Sequence, residues 1–346
     1  MKQSIILKIQ QIIDNQNLNE KELLYQLKGV VYQNDLQNEI SKESKSIEQL
    51  VSENIEKLYQ ESTDSNTLKT GFHSLDKLLG GFGLGELIVI GGRPGMGKNI
   101  LLINLALNIS VDIPVLYFSF DFSELLLTNR IISSVTGIPI EKIQQQTLTD
   151  SEKETIRLSG SHLITRHLYI NDNSYNSLTA FKIHCEKYIK EYGVKVIIID
   201  YLQMMSSNKY SNNRVLELGH ISKELKKIAK EFNVCIVASS QLSRAVEMRH
   251  GDKKPLLADL RDSGAIEQDA DKVIALYRPE YYGFQENARG ESTKGITELF
   301  ILKNRSGPVG EIQLMKDINF SYYRDFDIER SEFITIKSRL DEIDLF

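Results

Sequence analysis

Nine residues, GGRPGMGKN from Gly91 to Asn99, constrain the fold more than any other stretch of this chain. Gly92, four intervening residues, then Gly97 and Lys98 follow directly on the apolar run ELIVI (86 to 90) and precede a helical pattern. Strand, glycine-rich loop and helix in that order make a phosphate site. The glycines let successive backbone N–H groups turn inward, the helix N-terminus adds partial positive charge, and a lysine reaches the outer phosphates. Gly92, Arg93, Pro94, Gly95, Met96, Gly97, Lys98 and Asn99 are the predicted nucleotide-binding residues. The competing reading, an ordinary glycine turn, does not explain the flanking strand and helix.

The rest of the pattern fits a sheet built around that loop. VLYFS (115 to 119), VKVIIID (194 to 200) and VCIVASSQ (234 to 241) are, like ELIVI, apolar almost without alternation. Central parallel strands covered on both faces read this way. Helical spacing predicts helices near 98 to 110, 123 to 136, 178 to 192 and 213 to 232, and KVIALY, TELFILK and GEIQLMK supply later strands. The expected fold class is α/β, with a mostly parallel central sheet. At 346 residues and 41% hydrophobic composition, the chain has room for more than one folding unit.

Composition changes near residue 65. Before it, Ile5, Ile9, Ile12 and Ile13, then Leu23, Leu24 and Leu27, recur at helical spacing among polar residues, which predicts a short all-helical N-terminal extension over 1–45. In SIEQLVSENIEKLYQE the stripe Ile47, Leu50, Val51, Ile55 and Leu58 predicts an amphipathic helix, with Ser46 and Gln49 as its capping box. That stripe suits packing on the chain's own next domain and docking on a neighbouring subunit equally well. ESTDSNT (61 to 67) reads as a linker, so 46–67 is assigned to linker helix and linker, 68–326 to the main domain and 327–346 to a tail.

Several classes are disfavoured. No apolar run approaches the ~20 residues needed to span a bilayer, and the N-terminus lacks the apolar block of a signal peptide, which predicts a cytoplasmic protein with no membrane partner. Cys185 and Cys235 have no metal-ligand spacing and read as reduced core thiols. A net charge of -5 argues against a uniformly basic surface while leaving room for a local basic path.

Chemistry gathers at the strand ends. Asp200 closes VKVIIID, where a carboxylate faces the phosphate loop and can hold Mg2+ through water. Asp121 follows VLYFS and can orient an attacking water. Gln241 ends the next strand, as a sensor of the terminal phosphate or as a structural amide.

Residues from about 68 to 325 resemble the C-terminal motor domain of the bacterial replicative helicases of the DnaB type. The stretches that carry the likeness are TGFHSLDKLLGGFGLGELIVIGGRPGMGK, VLYFSFDFS, VIIIDYLQMM, VASSQLSRAVEMR, DLRDSGAIEQDAD and KNRSGPVGE, in the family's order. The resemblance implies a RecA-like P-loop NTPase that forms a homo-oligomeric ring, normally a hexamer. Such a ring hydrolyses ATP or another NTP with Mg2+ at subunit interfaces while moving 5′ to 3′ on single-stranded DNA. It casts Lys98, Asp200, Asp121 and Gln241 as catalytic residues, and Asn99 with Asp200 as the metal-binding positions. Lys303 and Arg305 match the pair that reaches into the neighbour's site, although by themselves they read as a solvated strand edge. Arg261, Asp262 and Gly264 match the loop that tracks DNA phosphates. SSNKYSNNR (206 to 214) matches a second channel loop, with Lys209 and Arg214 either as phosphate contacts or as ordinary exposed residues.

Two residues depart from the pattern. Asn99 stands where the family has Ser or Thr, and Asp121 where it has Glu, shortening the carboxylate's reach by about 1.5 Å. Both predict a weakened site, which leaves a slow motor and a weakly hydrolysing ring subunit or accessory factor as alternatives. A RecA-like recombination or regulatory ATPase is a third, against which DLRDSGAIEQDAD and KNRSGP count. The short region before the linker helix predicts a truncated collar and puts primase recruitment in question. The terminal EIDLF resembles sliding-clamp-binding peptides, against a plain frayed end.

Overall fold

The computed structural model describes residues 67–317 apart from 174, 175, 208, 211 and 288, then residues 322–326, and upstream residues 10–13, 44 and 46–59. Apart from helical backbone at 10–13 and residue 44, the predicted extension over 1–45 lies outside the described residues, as do 327–346 with EIDLF. Two units are distinguished, Met1–Ser65 and Asn66–Phe346. In the first, α1 (Ile47–Tyr59) opens with the expected reciprocal cap: the Gln49 N–H donates to Ser46 Oγ at 3.2 Å, and the Ser46 N–H to Gln49 Oε1 at 3.0 Å. Ile47, Leu50, Val51 and Ile55 of its stripe are exposed.

The second unit runs β1 (Thr67–Leu68), α2 (His73–Leu79), β2 (Phe82–Gly83), β3 (Leu87–Gly92), α3 (Lys98–Ile109), β4 (Val115–Ser119) and α4 (Glu124–Thr136). It continues with α5 (Ile140–Gln145), α6 (Asp150–Ile164), β5 (Leu168–Asn171), α7 (Leu178–Tyr192), β6 (Val196–Asp200), α8 (Arg214–Phe232) and β7 (Cys235–Gln241). After these come α9 (Ala245–Met248), α10 (Gly264–Asp269), β8 (Lys272–Tyr277), β9 (Ile296–Asn304), β10 (Gly310–Asp317) and β11 (Tyr322–Asp325). The four helices expected from spacing are present, each ending within a residue or so of its predicted bounds. α5, α6 and β5 have no counterpart in the sequence reading. α6 has only one buried residue, Ser159, so it carries little apolar periodicity, although its Thr149–Glu152 capping box is complete.

Nine strands form one sheet in the order β11-β10-β9-β8-β3-β7-β6-β4-β5. β8, β3, β7, β6, β4 and β5 are mutually parallel, and β9, β10 and β11 add antiparallel strands at one edge. Both faces are covered, which explains the unbroken apolar runs: along β3, Ile88 and Ile90 enter one core and Leu87 and Val89 the other. Cys185 and Cys235 are free and buried, and burial pushes both thiols up. Among the described residues no helix is long and apolar enough to cross a membrane.

One buried contact ties the late edge strand to the glycine loop. Asn104, in the middle of the buried helix α3, accepts the Tyr323 N–H at 2.7 Å and donates to Ser134 Oγ at 3.1 Å. Tyr323 is fully buried, and its hydroxyl donates to the Met96 carbonyl at 3.3 Å. Gly97 has φ 91° and a Cβ there would run into that hydroxyl, so both conformation and space require glycine. Tyr323→Ala is expected to lower unfolding free energy by about 3–5 kcal/mol, read by urea denaturation. Tyr323→Phe, which keeps the ring, is expected to cost about 1 kcal/mol.

Candidate functional site

Sheet topology puts four strand ends side by side. β3, β7, β6 and β4 are neighbours, and their C-terminal ends carry the glycine loop, Gln241, Asp200 and Asp121. Register fixes the alignment: Gln241 pairs with Gly92, and Ser119 with Asp200. This is the crevice beyond the strand ends where parallel α/β sheets bind ligands. Four residues spread over about 150 positions of sequence are thereby brought to one edge.

Within the loop, Pro94 and Gly95 are exposed at its tip, whereas Gly92 and Met96 are buried. Lys98 Nζ donates to the carbonyls of Gly92 (2.8 Å) and Arg93 (3.2 Å). Burial, assisted by the Arg93 charge, lowers the Lys98 pKa to about 8, while Asp200 and Asp121 act to raise it. Arg93 keeps its backbone in the loop but turns its guanidinium away. Nε and Nη2 bond Glu247 of α9 at 2.9 and 3.0 Å, and Nη1 bonds the Leu242 carbonyl at 2.9 Å. This buried arginine fastens the loop to the turn after β7, and the Arg93 guanidinium holds the Glu247 carboxyl below its usual range. On the other flank Arg278 Nη1 bonds the Gly95 carbonyl at 2.9 Å.

Asp200 is buried and both its oxygens are engaged. Ser239 Oγ donates to Oδ1 at 2.7 Å; the Tyr117 hydroxyl (3.1 Å) and Asn99 Nδ2 (2.9 Å) donate to Oδ2. Burial raises its pKa, opposed by the Ser239 and Tyr117 hydrogen bonds and by the Lys98 charge. Burial beside Asp200 pushes the Tyr117 phenol well up, so it stays a donor. Among the described residues no group of three or more His, Cys, Asp or Glu side chains could cage a metal. The donor set still suits Mg2+, which uses one or two carboxylates and takes its remaining ligands from phosphate and water. Asp200 and Asn99 would hold it. Asp121 is exposed at the same edge. The Gln241 N–H donates to Gln203 Oε1 at 3.2 Å, and Gln203 Nε2 donates to Ser240 Oγ at 2.9 Å, so a second glutamine, absent from the sequence prediction, braces Gln241.

Lys303 and Arg305 lie elsewhere. β9 runs antiparallel, so Lys303 pairs with Val273, which pairs with Val89 near the beginning of β3. That is two strands, about 10 Å, to the side of the loop strand and a further ~10 Å back from Gly92. A β-bulge at Leu302 precedes the pair. Lys303 Nζ donates to the carbonyls of Glu267 and Gln268, and Arg305 Nη2 to that of Gln268, so both cations cap the C-terminus of α10. Arg305 also approaches Asp271 at 3.6 Å.

α10 begins at Gly264, directly after the 3-10 turn Leu257–Ser263 that contains Arg261 and Asp262. The side chains of Arg261 and Asp262 are outside the described set. Gly264 has ordinary helical φ, and nothing lies within 4 Å of the place a Cβ would take, so packing inside the chain does not require glycine there. Arg249 bonds Asp259 of the turn, whose carbonyl accepts the Ser243 N–H at 2.9 Å. In the other segment Lys209 is exposed and sits over the Tyr210 ring at 5.2 Å. Arg214 is committed internally, to Glu217 and to the carbonyls of Met205 and Gln203.

Residues 67–325 match the family described as DnaB-like helicase C terminal domain. The chain belongs to that family. Among DnaB-like relatives, a probable replicative DNA helicase of Trieres chinensis is 40% identical over 263 residues, covering 75% of this chain and 57% of the relative. The replicative DNA helicase DnaC of Bacillus subtilis is 34% identical over 293 residues, 84% of this chain and 61% of the relative. The chain thus spans about three-fifths of the curated DnaB-like proteins it matches. A solved ATPase domain superposes with TM-score 0.75 at 30% identity, covering 82% of this chain and 100% of that one. A DnaB-like replicative helicase studied with primase gives TM-score 0.77 at 28% identity over 93% and 75% of the two chains. The DnaB-like fold is accordingly the RecA-like one that the family resemblance implied, with the mostly parallel sheet expected from the strand pattern.

Proposed function

We propose that this chain is the ATP-driven motor of a replicative DNA helicase, moving 5′ to 3′ on single-stranded DNA as a homo-oligomeric ring, with six subunits as the working stoichiometry. The observation that carries it is the division of the site. Lys98, Asp200, Gln241 and Asp121 stand at one end of the sheet, while Lys303 and Arg305 stand toward the other, too far to serve their own loop. Cations so placed act on a nucleotide held by the next protomer. In that arrangement the loop and Lys98 bind the phosphates, Asp200 and Asn99 hold Mg2+, Asp121 orients the attacking water, and Gln241 reports the terminal phosphate. Mg2+ supplies charge neutralisation between the phosphates. DNA runs along Arg261, Asp262 and Gly264, with Lys209 as a further phosphate contact. The open space at Gly264 supports approach from outside the chain. Contacts of this kind are indifferent to base sequence, as translocation requires.

ATP hydrolysis with and without single-stranded DNA tests the reading. Wild type is expected to turn over, faster with DNA. Asp121→Glu is expected to raise the rate by up to about 10²-fold, because it returns the carboxylate to a position a displacement near 1 Å has cost. A protein that binds ATP and assembles, yet hydrolyses little in either form, is instead a weakly hydrolysing ring subunit. A protein that ignores ATP overturns both.

A further inference from the structure

Exposed tyrosines are common on protein surfaces and most need no explanation. Tyr210 is set apart by its backbone. It has φ 63°, in the left-handed region that bulky side chains seldom enter and that Gly or Asn occupies at lower cost. The turn that imposes this conformation is pinned on both sides. The Ser207 N–H donates to Glu217 Oε1 at 2.7 Å, the Lys209 N–H to Ser207 Oγ at 3.2 Å, and the Asn213 N–H to the Tyr210 carbonyl at 2.9 Å. Asn213 in turn caps α8, its side chain accepting the Leu216 N–H at 3.2 Å. Folding gains little from the ring so displayed, which is 46% exposed and takes no place in either core. Its neighbours are a cation and an imidazole. Lys209 Nζ lies 5.2 Å from the ring centroid, and His220 of α8 stands nearly edge-on, with centroids 6.0 Å apart and planes at 78°. Helix α8 also joins the two segments proposed to meet DNA. A Cβ on Gly219 would run into that of Ala265, so α8 touches α10 at the residue before His220 and at the residue after Gly264.

We propose that Tyr210 is a stacking platform for a base of the single strand, with Lys209 beside it for the adjoining phosphate. Every base has a π-face, so an aromatic ring adds affinity without reading sequence. Lys209 covers the ring in the free chain and passes to a phosphate when a base takes its place. A turn already fixed by hydrogen bonds presents the ring at a reduced ordering cost. The strand is thus held by a base face as well as by its backbone. This inference rests on the single-stranded DNA reading above and adds a contact that phosphates alone do not supply.

The test separates base from phosphate. With a non-hydrolysable ATP analogue present, binding of oligothymidylate and of an abasic strand with the same number of phosphates is followed by fluorescence anisotropy. Wild type and Tyr210→Phe are expected to bind oligothymidylate about tenfold or more tighter than the abasic strand; Tyr210→Ala is expected to lose that preference while holding the abasic strand within a factor of about three of wild type. The salt dependence of binding should stay unchanged in Tyr210→Ala and become shallower in Lys209→Ala. The chain has no tryptophan, so Tyr210→Trp installs a single reporter, whose emission should be quenched by oligothymidylate and not by the abasic strand. Wild type that holds both strands equally overturns the inference, as does a preference that survives in Tyr210→Ala or a loss of equal size on both strands. An equal loss accompanied by a change in assembly size, read by light scattering, assigns the ring to a neighbouring subunit instead. If wild type binds neither strand while still binding the analogue, the DNA reading itself fails and takes this inference with it.

Discussion

Lys98→Ala is expected to cut ATP turnover about 10³-fold, equivalent to ~4 kcal/mol of barrier, and to weaken nucleotide binding as well. The size follows from where the ammonium sits. Burial has already stripped much of its water, which is why its pKa falls to about 8, so a phosphate that reaches it meets a poorly hydrated cation. Phosphate favours the charged form and raises that pKa again. Nucleotide affinity therefore depends on pH in a defined direction: full below pH 8, where free Lys98 is cationic, and lost as pH rises through 8 because binding must then recapture a proton. Between pH 7 and pH 9 wild-type affinity is expected to fall about tenfold, measured by equilibrium titration, and Lys98→Ala is expected to remove that slope. Lys98→Arg should not rescue activity, because a planar fork cannot replace a compact cation bonded to the Gly92 and Arg93 carbonyls.

The nucleotide edge is readable in sequence because each of its residues terminates a strand, and strands covered on both faces announce themselves as unbroken apolar runs. Once VKVIIID and VCIVASSQ are strands of one parallel sheet, Asp200 and Gln241 must share an edge with Gly92. What cannot be read is whatever depends on a single long-range partner. Arg93 looks like one more loop cation until Glu247, far along the chain, takes its guanidinium. Arg214 reads in sequence as either a phosphate contact or an ordinary exposed residue, and only the structure shows its guanidinium bonded to Glu217 and two carbonyls. YYRD has too few residues to declare a strand, yet it puts Tyr323 beneath Gly97. The amide at position 99 is legible as a departure from a hydroxyl. Only the bond from its nitrogen to Asp200 shows which atom is left over.

Arg305→Ala is expected to lower turnover by ~10³-fold or more while each protomer's affinity for nucleotide stays within a factor of about three, because under the proposed division of the site the lost cation would belong to a neighbour's site. The structure adds a competitor to that role. In the chain by itself Lys303 and Arg305 are bonded to the last carbonyls of α10, the helix that begins at Gly264, proposed above as a DNA contact. To reach a phosphate they must leave those carbonyls, so under the proposed function nucleotide in one protomer and the proposed DNA loop of the next would draw on the same two cations. Their substitution should therefore also change single-stranded DNA affinity, measured by fluorescence anisotropy, although neither side chain need touch DNA. Mixing decides whether the action crosses between protomers. Lys98→Ala subunits retain the cation pair, and Arg305→Ala subunits retain the loop. In a ring built by head-to-tail contacts from equal parts of each, about a quarter of the interfaces would join an intact loop to an intact pair, and hydrolysis should reappear where neither variant alone supports it. Cations acting on their own loop would give no recovery at any mixing ratio, and the divided site would then be wrong.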